Sequence, residues 1–389
     1  MTLGVAVAGC IDAVPPPALN AVRDSAGVRI VESLSDSRYV APWVLGQEPI
    51  WSVGEVEGDP HYLLDRVAGA MQLPNGDVLV ANGGTNELRF YRSDGSFIKA
   101  EGRDGQGPGE FEYLRALGQC RKDGFVAFDL NWQMNEYTWE GDFVEKTIFR
   151  APEGVTPYAL ACDVDSHVVL LGWGQAAAET PPVGFYQARD RLLLTNRRGE
   201  IALDFGERLV SERIGSEYGS RPHPAGRATV FALHDERLFV GSGERFEVEI
   251  RGLDDSLISL LRGPDLDLTV TDDVKSAYLE NRLGSIPEER HPALRREVAA
   301  WEWPTSLPAF VELRVDVEGV LWLRAYHANS TLPQVWSLID PAVGYMGDVR
   351  LPPRHELLEV GTDYVLARSS DDLDVQRVAK LPLDRRSGG

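Results

Sequence analysis

The chain has 389 residues, 43% of them hydrophobic and 25% charged, a composition that fits a folded protein and not a disordered one. With 60 Asp and Glu against 39 Lys and Arg the formal charge is −21, and a surface this acidic argues against nucleic-acid binding. No apolar run reaches the roughly 18–20 residues of a membrane-spanning helix, and 3 Cys are too few for a disulfide-built scaffold.

The first residues, MTLGVAVAGC, place a short apolar stretch, Leu3–Ala8, before Gly9 and Cys10. Small residues followed by Cys resemble a bacterial lipoprotein signal, here truncated to residues 1–9. That resemblance implies lipidation of Cys10 and a place in the cell envelope, periplasmic or surface-exposed. Residues 10–27 contain Pro15-Pro16-Pro17 and no hydrophobic periodicity, so they read as a stiffened tether.

Residues 67–113 hold four strand-like segments. Val67–Leu73 leads through the turn Pro74-Asn75-Gly76 into Asp77–Ala81; Leu88–Tyr91 follows, and Ser93-Asp94-Gly95 turns the chain into Phe97-Ile98. A Gly-rich loop, RDGQGPGEF, comes next. The unit then recurs, with Gly124 and Gly141 answering Gly76 and Gly95 at offsets of 48 and 46. Further copies lie at 157–205, 229–261 and 309–349, and a last one at 356–383 stops after three strands. Its fourth strand is expected from Trp43–Val53, which would close the ring, with Val28–Val31 beside it.

Six units of four strands at this period indicate an all-β, six-bladed β-propeller over 28–383, closed by an N-terminal strand. The run NELRFYRSDGSF…GRDGQGPGEF resembles the NHL repeat, and the chain as a whole resembles NHL-like propellers of the secreted bacterial lipoprotein type. Between blades four and five, about 271–303, a small helical insertion is expected. Thr271 is placed as N-cap, and Leu294, Val298 and Trp301 form one face. Residues 384–389 read as a flexible tail.

The insertion, the connection Glu207–Arg227 and the loop Gly174–Pro182 should crowd one face of the disc, which makes that face the place to look for function. Trp132, Trp173 and Tyr326 directly follow second strands and could rim the channel mouth; His223 and His327 lie on the same face. These five are the candidate ligand-binding residues. Cys120 and Cys162 sit near the ends of neighbouring inner strands, where a disulfide and a pair of buried thiols both remain open.

No GxSxG elbow, HExxH, CxxC or ordered Ca²⁺ loop occurs, so no catalytic residue or metal ligand is assigned and no cofactor is expected. The leading expectation is a monomeric, lipid-anchored binding module for an unidentified peptide, glycan or envelope protein. The alternative implied by the fold resemblance is a metal-dependent lyase or lactonase-like hydrolase with Ca²⁺ or Zn²⁺ at the channel axis.

Overall fold

The structure is a computed structural model that describes residues 20–385 apart from 36, 37, 42, 130–132, 150–152, 154, 155, 163–167, 174–180, 197, 218, 330, 331 and 372. Four N-terminal strands come first: β1 (Asn20–Ser25), β2 (Val28–Ser33), β3 (Val44–Leu45) and β4 (Trp51–Val53). The first sheet is β5 (Val67–Gln72), β6 (Val78–Asn82), β7 (Glu87–Tyr91) and β8 (Phe97–Glu101). The second is β9 (Leu114–Arg121), β10 (Gly124–Asp129), β11 (Gln133–Thr138) and β12 (Phe143–Ile148). The third is β13 (Thr156–Cys162), β14 (Val168–Trp173), β15 (Gly184–Thr195), β16 (Ile201–Ser216) and β17 (Gly219–Pro222).

The fourth sheet is built on β18 (Val230–His234), β19 (Arg237–Gly241), β20 (Glu247–Gly252) and β21 (Leu257–Arg262). Helices α1 (Asp272–Leu283) and α2 (His291–Ala299) follow it. The fifth sheet is β22 (Glu312–Val315), β23 (Leu321–Arg324), β24 (Gln334–Asp340) and β25 (Gly344–Leu351). The sixth is β26 (His355–Val360), β27 (Tyr364–Ser370) and β28 (Gln376–Asp384).

Within each sheet the strands follow one another as a meander, so the first strand lies at one edge. These first strands approach each other between neighbouring sheets, β5 with β9, β9 with β13, β13 with β18, β18 with β22, and β26 with β5. All six line one central cavity of about 700 Å³. The fold is therefore β-propeller-like.

The second strands explain why their sequences are continuously apolar instead of alternating. Val78–Asn82 and Gly124–Asp129 are buried at every position, because a sheet packs on each face. One core, for example, joins Leu79 and Phe90 of the first sheet to Phe125 and Tyr137 of the second. The Gly-rich loop after β8 belongs to the same seam. Gly102 has φ +87°, and a Cβ there would lie 2.8 Å from the Phe111 ring, so only glycine fits beside this fully buried aromatic. Asn86 locks the loop by accepting from Leu114 N (2.8 Å) and donating to Phe111 O (3.2 Å).

Residues 20–53 form a strap across three sheets. Ala26 and Gly27, at φ 52° and 84°, make the two-residue turn between β1 and β2. Strand β2 then pairs in parallel with β21. Tyr39 O accepts from Asp348 N (2.7 Å), and Ala41 N donates back to Asp348 O (2.9 Å), tying the strap to β25. Finally β3 and β4 both pair antiparallel with β28.

The expected position of Val28–Val31 is thus corrected: it extends the fourth sheet, not the last. The outer edge of β28 is taken up by β3 and β4, whereas β21 offers a free edge and an apolar seam that receives Val31, wholly buried with Val248, Leu261 and Tyr345. The tether boundary moves as well, since β1 already begins at Asn20. At the other end Asp384 still pairs with Val44, and Arg385 bonds Asp316 (2.9 Å), so neither belongs to a loose tail. Residues 386–389, like Cys10, lie outside the described residues.

Cys120 of β9 and Cys162 of β13 are joined as a disulfide, with Cα atoms 5.4 Å apart. It ties the inner strands of the second and third sheets. Closing a loop of this length contributes about 4 kcal/mol on the chain-entropy account. The double variant Cys120→Ala/Cys162→Ala should therefore unfold at clearly lower denaturant concentration, and an unchanged midpoint would show that packing alone holds this seam.

Candidate functional site

Tight turns join first to second and third to fourth strands on one face; the longer connections gather on the opposite, loop face. Above the third sheet β15 and β16 do not stop at the sheet. Only Leu192–Thr195 of β15 pairs with β14, whereas Gly184–Arg191 continues outward paired to β16, with β17 added at the edge. The connection Glu207–Arg227, expected as a loop, is mostly strand. Glu212 organises it: almost wholly buried, it accepts from Arg227 N (2.9 Å) and Arg227 Nε (3.0 Å). Burial pushes its carboxyl up, but the bonds from Arg227 and Gln187 outweigh this and leave it lowered.

The chain leaving β17 places His223 against residues that follow α2. Its ring centroid lies 5.0 Å from Trp303, 5.8 Å from Trp301 and 5.9 Å from Phe185 of β15. Tyr278 of α1 completes the group, 5.7 Å from Trp301 and 5.8 Å from Trp303. Arg221 stacks its guanidinium 4.8 Å from the Trp301 ring and pairs with Glu297 of α2. The extension of the third sheet and the helical insertion thus meet through an aromatic cluster.

His223 is only 3% exposed. Its Nδ1 accepts from Ala225 N (3.0 Å), which leaves the proton on Nε2, and this Nε2 is buried without a partner among the described residues. Burial pushes the imidazole down to about 4, with Glu212 raising it and Arg221 lowering it, so the ring is neutral at pH 7. Tyr326, just after β23, carries a second buried polar atom, its Oη, that has no partner among the described residues. Burial and the nearby Tyr278 push this phenol up to about 12. His327 beside it is held below the usual imidazole range by burial and by the charges of Arg38 and Arg350.

Of the candidates from sequence, His223 meets Trp301 and Trp303, Tyr326 lies near enough to Tyr278 of α1 to feel its charge, and His327 follows Tyr326 in sequence. Trp173 ends β14 with its side chain outside the described residues, and Trp132 lies outside them altogether. Trp303, Tyr278, Phe185 and Arg221 were not among the candidates, and Trp301, expected on one helix face with Leu294 and Val298, instead lies past the end of α2 at Ala299. Their signal was faint: two Trp separated by one residue, just past the end of a helix. Helix α1 itself starts as its sequence suggests, Thr271 Oγ1 accepting from Val274 N (3.4 Å). Among the described residues no three His, Cys, Asp or Glu side chains come together as a metal site, and no helix is long and apolar enough to cross a membrane.

No protein-family model matches the chain, and no curated protein matches it in sequence. Solved structures similar in shape include a member of the DUF4221 family from Bacteroides vulgatus, 9% identical, covering 88% of this chain and 99% of its own, at a TM-score of 0.48. The PQQ-bound aldose sugar dehydrogenase of Streptomyces coelicolor is 12% identical, with 90% and 100% covered and a TM-score of 0.44. Virginiamycin B lyase from Staphylococcus aureus is 8% identical, with 87% and 99% covered and a TM-score of 0.41. Likenesses this remote carry nothing about chemistry.

Proposed function

We propose that the protein is a six-bladed, NHL-like propeller, closed by its N-terminal strap, that serves as a ligand-binding module of the bacterial cell envelope. The observation that carries the binding role is the aromatic cluster on the loop face, with the buried His223 Nε2–H left unpartnered. An orphaned buried donor costs stability unless something accepts its hydrogen bond. Aromatic walls with a neutral donor suit a ligand that presents a flat apolar face and an acceptor oxygen, as a glycan ring or a peptide backbone does. A cation is a poorer fit, because Arg221 already stacks on Trp301.

The envelope location rests on two features. Leu3–Cys10 has the pattern of a lipoprotein signal, which would anchor the chain through Cys10, and the Cys120–Cys162 disulfide suits an oxidising compartment. A monomer is the expected state.

The tagged full chain, applied to glycan and peptide arrays, tests the binding role. Trp303→Ala and Tyr326→Ala are expected to weaken retention of the bound class about tenfold or more, as loss of a buried aromatic contact does at other interfaces. Binding that survives both substitutions would sink the assignment of this face.

A further inference from the structure

The central cavity offers a second site, at the opposite end from the aromatic cluster. Its shaft is lined by small and apolar residues of the inner strands, among them Gly69, Ala116, Leu117, Ala161 and Leu233. Towards the turn face, where the inner strands end, three polar side chains besides Arg314 and Asp316 line the same cavity: Gln119 near the end of β9, His234 at the end of β18 and Glu359 near the end of β26. They come from the second, fourth and sixth sheets and so surround the shaft. Among the described residues Gln119 and the His234 ring make no hydrogen bond.

Glu359 uses one oxygen only. Oε2 accepts from Gln72 N (2.7 Å) and from Tyr364 Oη (3.2 Å), and Oε1 has no hydrogen-bond partner among the described residues. The other charged groups of this end are engaged. Arg314 bonds Glu312 (2.8 Å) and the Leu358 carbonyl (3.1 Å), and Asp316 is held by Arg385 and the Trp322 indole. Lys380, behind Glu359 on β28, stacks 4.3 Å from the Tyr364 ring and reaches Gln72 Oε1 (3.4 Å). Asp363 lies close enough to act on Tyr364 and carries the same sign as Glu359. Among the described residues that line this end of the cavity, Glu359 is therefore the acidic group that no cation pairs directly.

We infer that the channel binds a small organic cation, a primary ammonium on an apolar stem, with the stem in the Gly/Ala/Leu-lined shaft and the ammonium on Glu359, assisted by Gln119 and His234. A mostly apolar cavity of this size with a few convergent polar groups is the usual form of a small-molecule site. The chain's charge of −21 favours the approach of a cation. This inference does not rest on the loop-face reading, since the two sites share no residue.

Burial pushes the Glu359 carboxyl up to about 7, with Gln72, Tyr364 and Lys380 pulling against it. A bound ammonium stabilises the carboxylate, so binding releases the proton to solvent. The test uses n-hexylammonium and n-hexanol as probes of the full chain, by calorimetry from pH 5.5 to 8. Hexylammonium affinity should rise about tenfold per pH unit below 7 and then level off, with close to one proton released at the acid end. Hexanol binding should not change with pH.

Glu359→Gln should remove that slope and weaken hexylammonium at least tenfold at pH 8 while leaving hexanol unchanged, which also reports that the variant is folded. Gly69→Leu, whose Cβ has Leu117 as its nearest neighbour at 3.5 Å, narrows the shaft and should weaken both probes. The inference is overturned if hexylammonium binds no better than hexanol at pH 8, if the slope persists in Glu359→Gln, or if Gly69→Leu leaves both probes unaffected.

Discussion

Trp43→Ala is expected to lower the stability of the whole protein by about 3–5 kcal/mol, the range for deleting a large buried aromatic. Trp43 belongs to the strap, yet its side chain is 8% exposed and packs with Leu45, Trp322, Trp336, Leu357 and Leu383. Its ring lies 6.1 Å from that of Trp322, and the Arg385 guanidinium sits 4.4 Å from its centroid. Arg385 is fixed in turn by Asp316 and by the Gly361 carbonyl. One side chain thus joins the N-terminal strap, the fifth and sixth sheets and the C-terminal strand. Removing it leaves a cavity and also loosens the segment that covers the edge of β28.

Leu34→Ala, at a strap position 62% exposed, should change stability by less than about 0.5 kcal/mol. Urea unfolding of the two variants side by side makes the comparison. If Trp43→Ala stayed within 1 kcal/mol of the parent, on the order of a surface change, the strap would be an ornament on an independently stable disc.

The second large effect is a pair of opposed pH dependences. His223 falls from the ordinary 6.5 to about 4 in the folded state, a displacement of roughly 3 kcal/mol. Its contribution is fully present above pH 6.5 and is lost as pH falls through about 4. Glu359 rises from 4.5 to about 7, again roughly 3 kcal/mol. Its contribution is fully present below pH 4.5 and is lost as pH rises through about 7. Between pH 4.5 and 6.5 the two slopes oppose each other.

Single variants separate them. Relative to the parent, His223→Phe should gain stability as the pH is lowered from 6.5 towards 4, and Glu359→Gln should gain as it is raised from 4.5 towards 7. Other carboxylates, Asp371 and Glu110 among them, are held low by their hydrogen bonds, but they are common to all the proteins and cancel in the differences. Urea denaturation at half-unit pH steps is the measurement. Parallel curves for the parent and His223→Phe would mean that the imidazole is not buried neutral.

Much of the architecture was legible because propeller strands are local. The turns at Gly76 and Gly95 and the apolar run Val78–Asn82 announce a meander within some fifty residues, and the pattern repeats along the chain. The helices were legible for the same reason, Thr271 and Asp272 being a local start signal. The strap was only half legible. Trp43–Val53 has a strand's composition and a missing partner to satisfy, whereas β1 and β2 are short, and Ala26-Gly27 is an unobtrusive turn. What places β2 on the fourth sheet is the free edge of β21 and the apolar seam waiting for Val31, neither of which lies near it in sequence.

The sites divide along the same line. His223 and Tyr326 were reachable from sequence as polar aromatics on long connections of one face. Trp301 and Trp303 join them only because β15 and β16 outgrow their sheet far enough to reach the insertion. Glu359 gave no signal at all, one acidic residue among 60. By itself the sequence determined strand periodicity, turns, helix start and net charge, since each is set by the preferences of neighbouring residues. Only the tertiary structure decided which imidazole is neutral, which carboxyl is pushed up and which rings meet. Burial and charge proximity are sums over residues hundreds of positions apart, and no local pattern carries them.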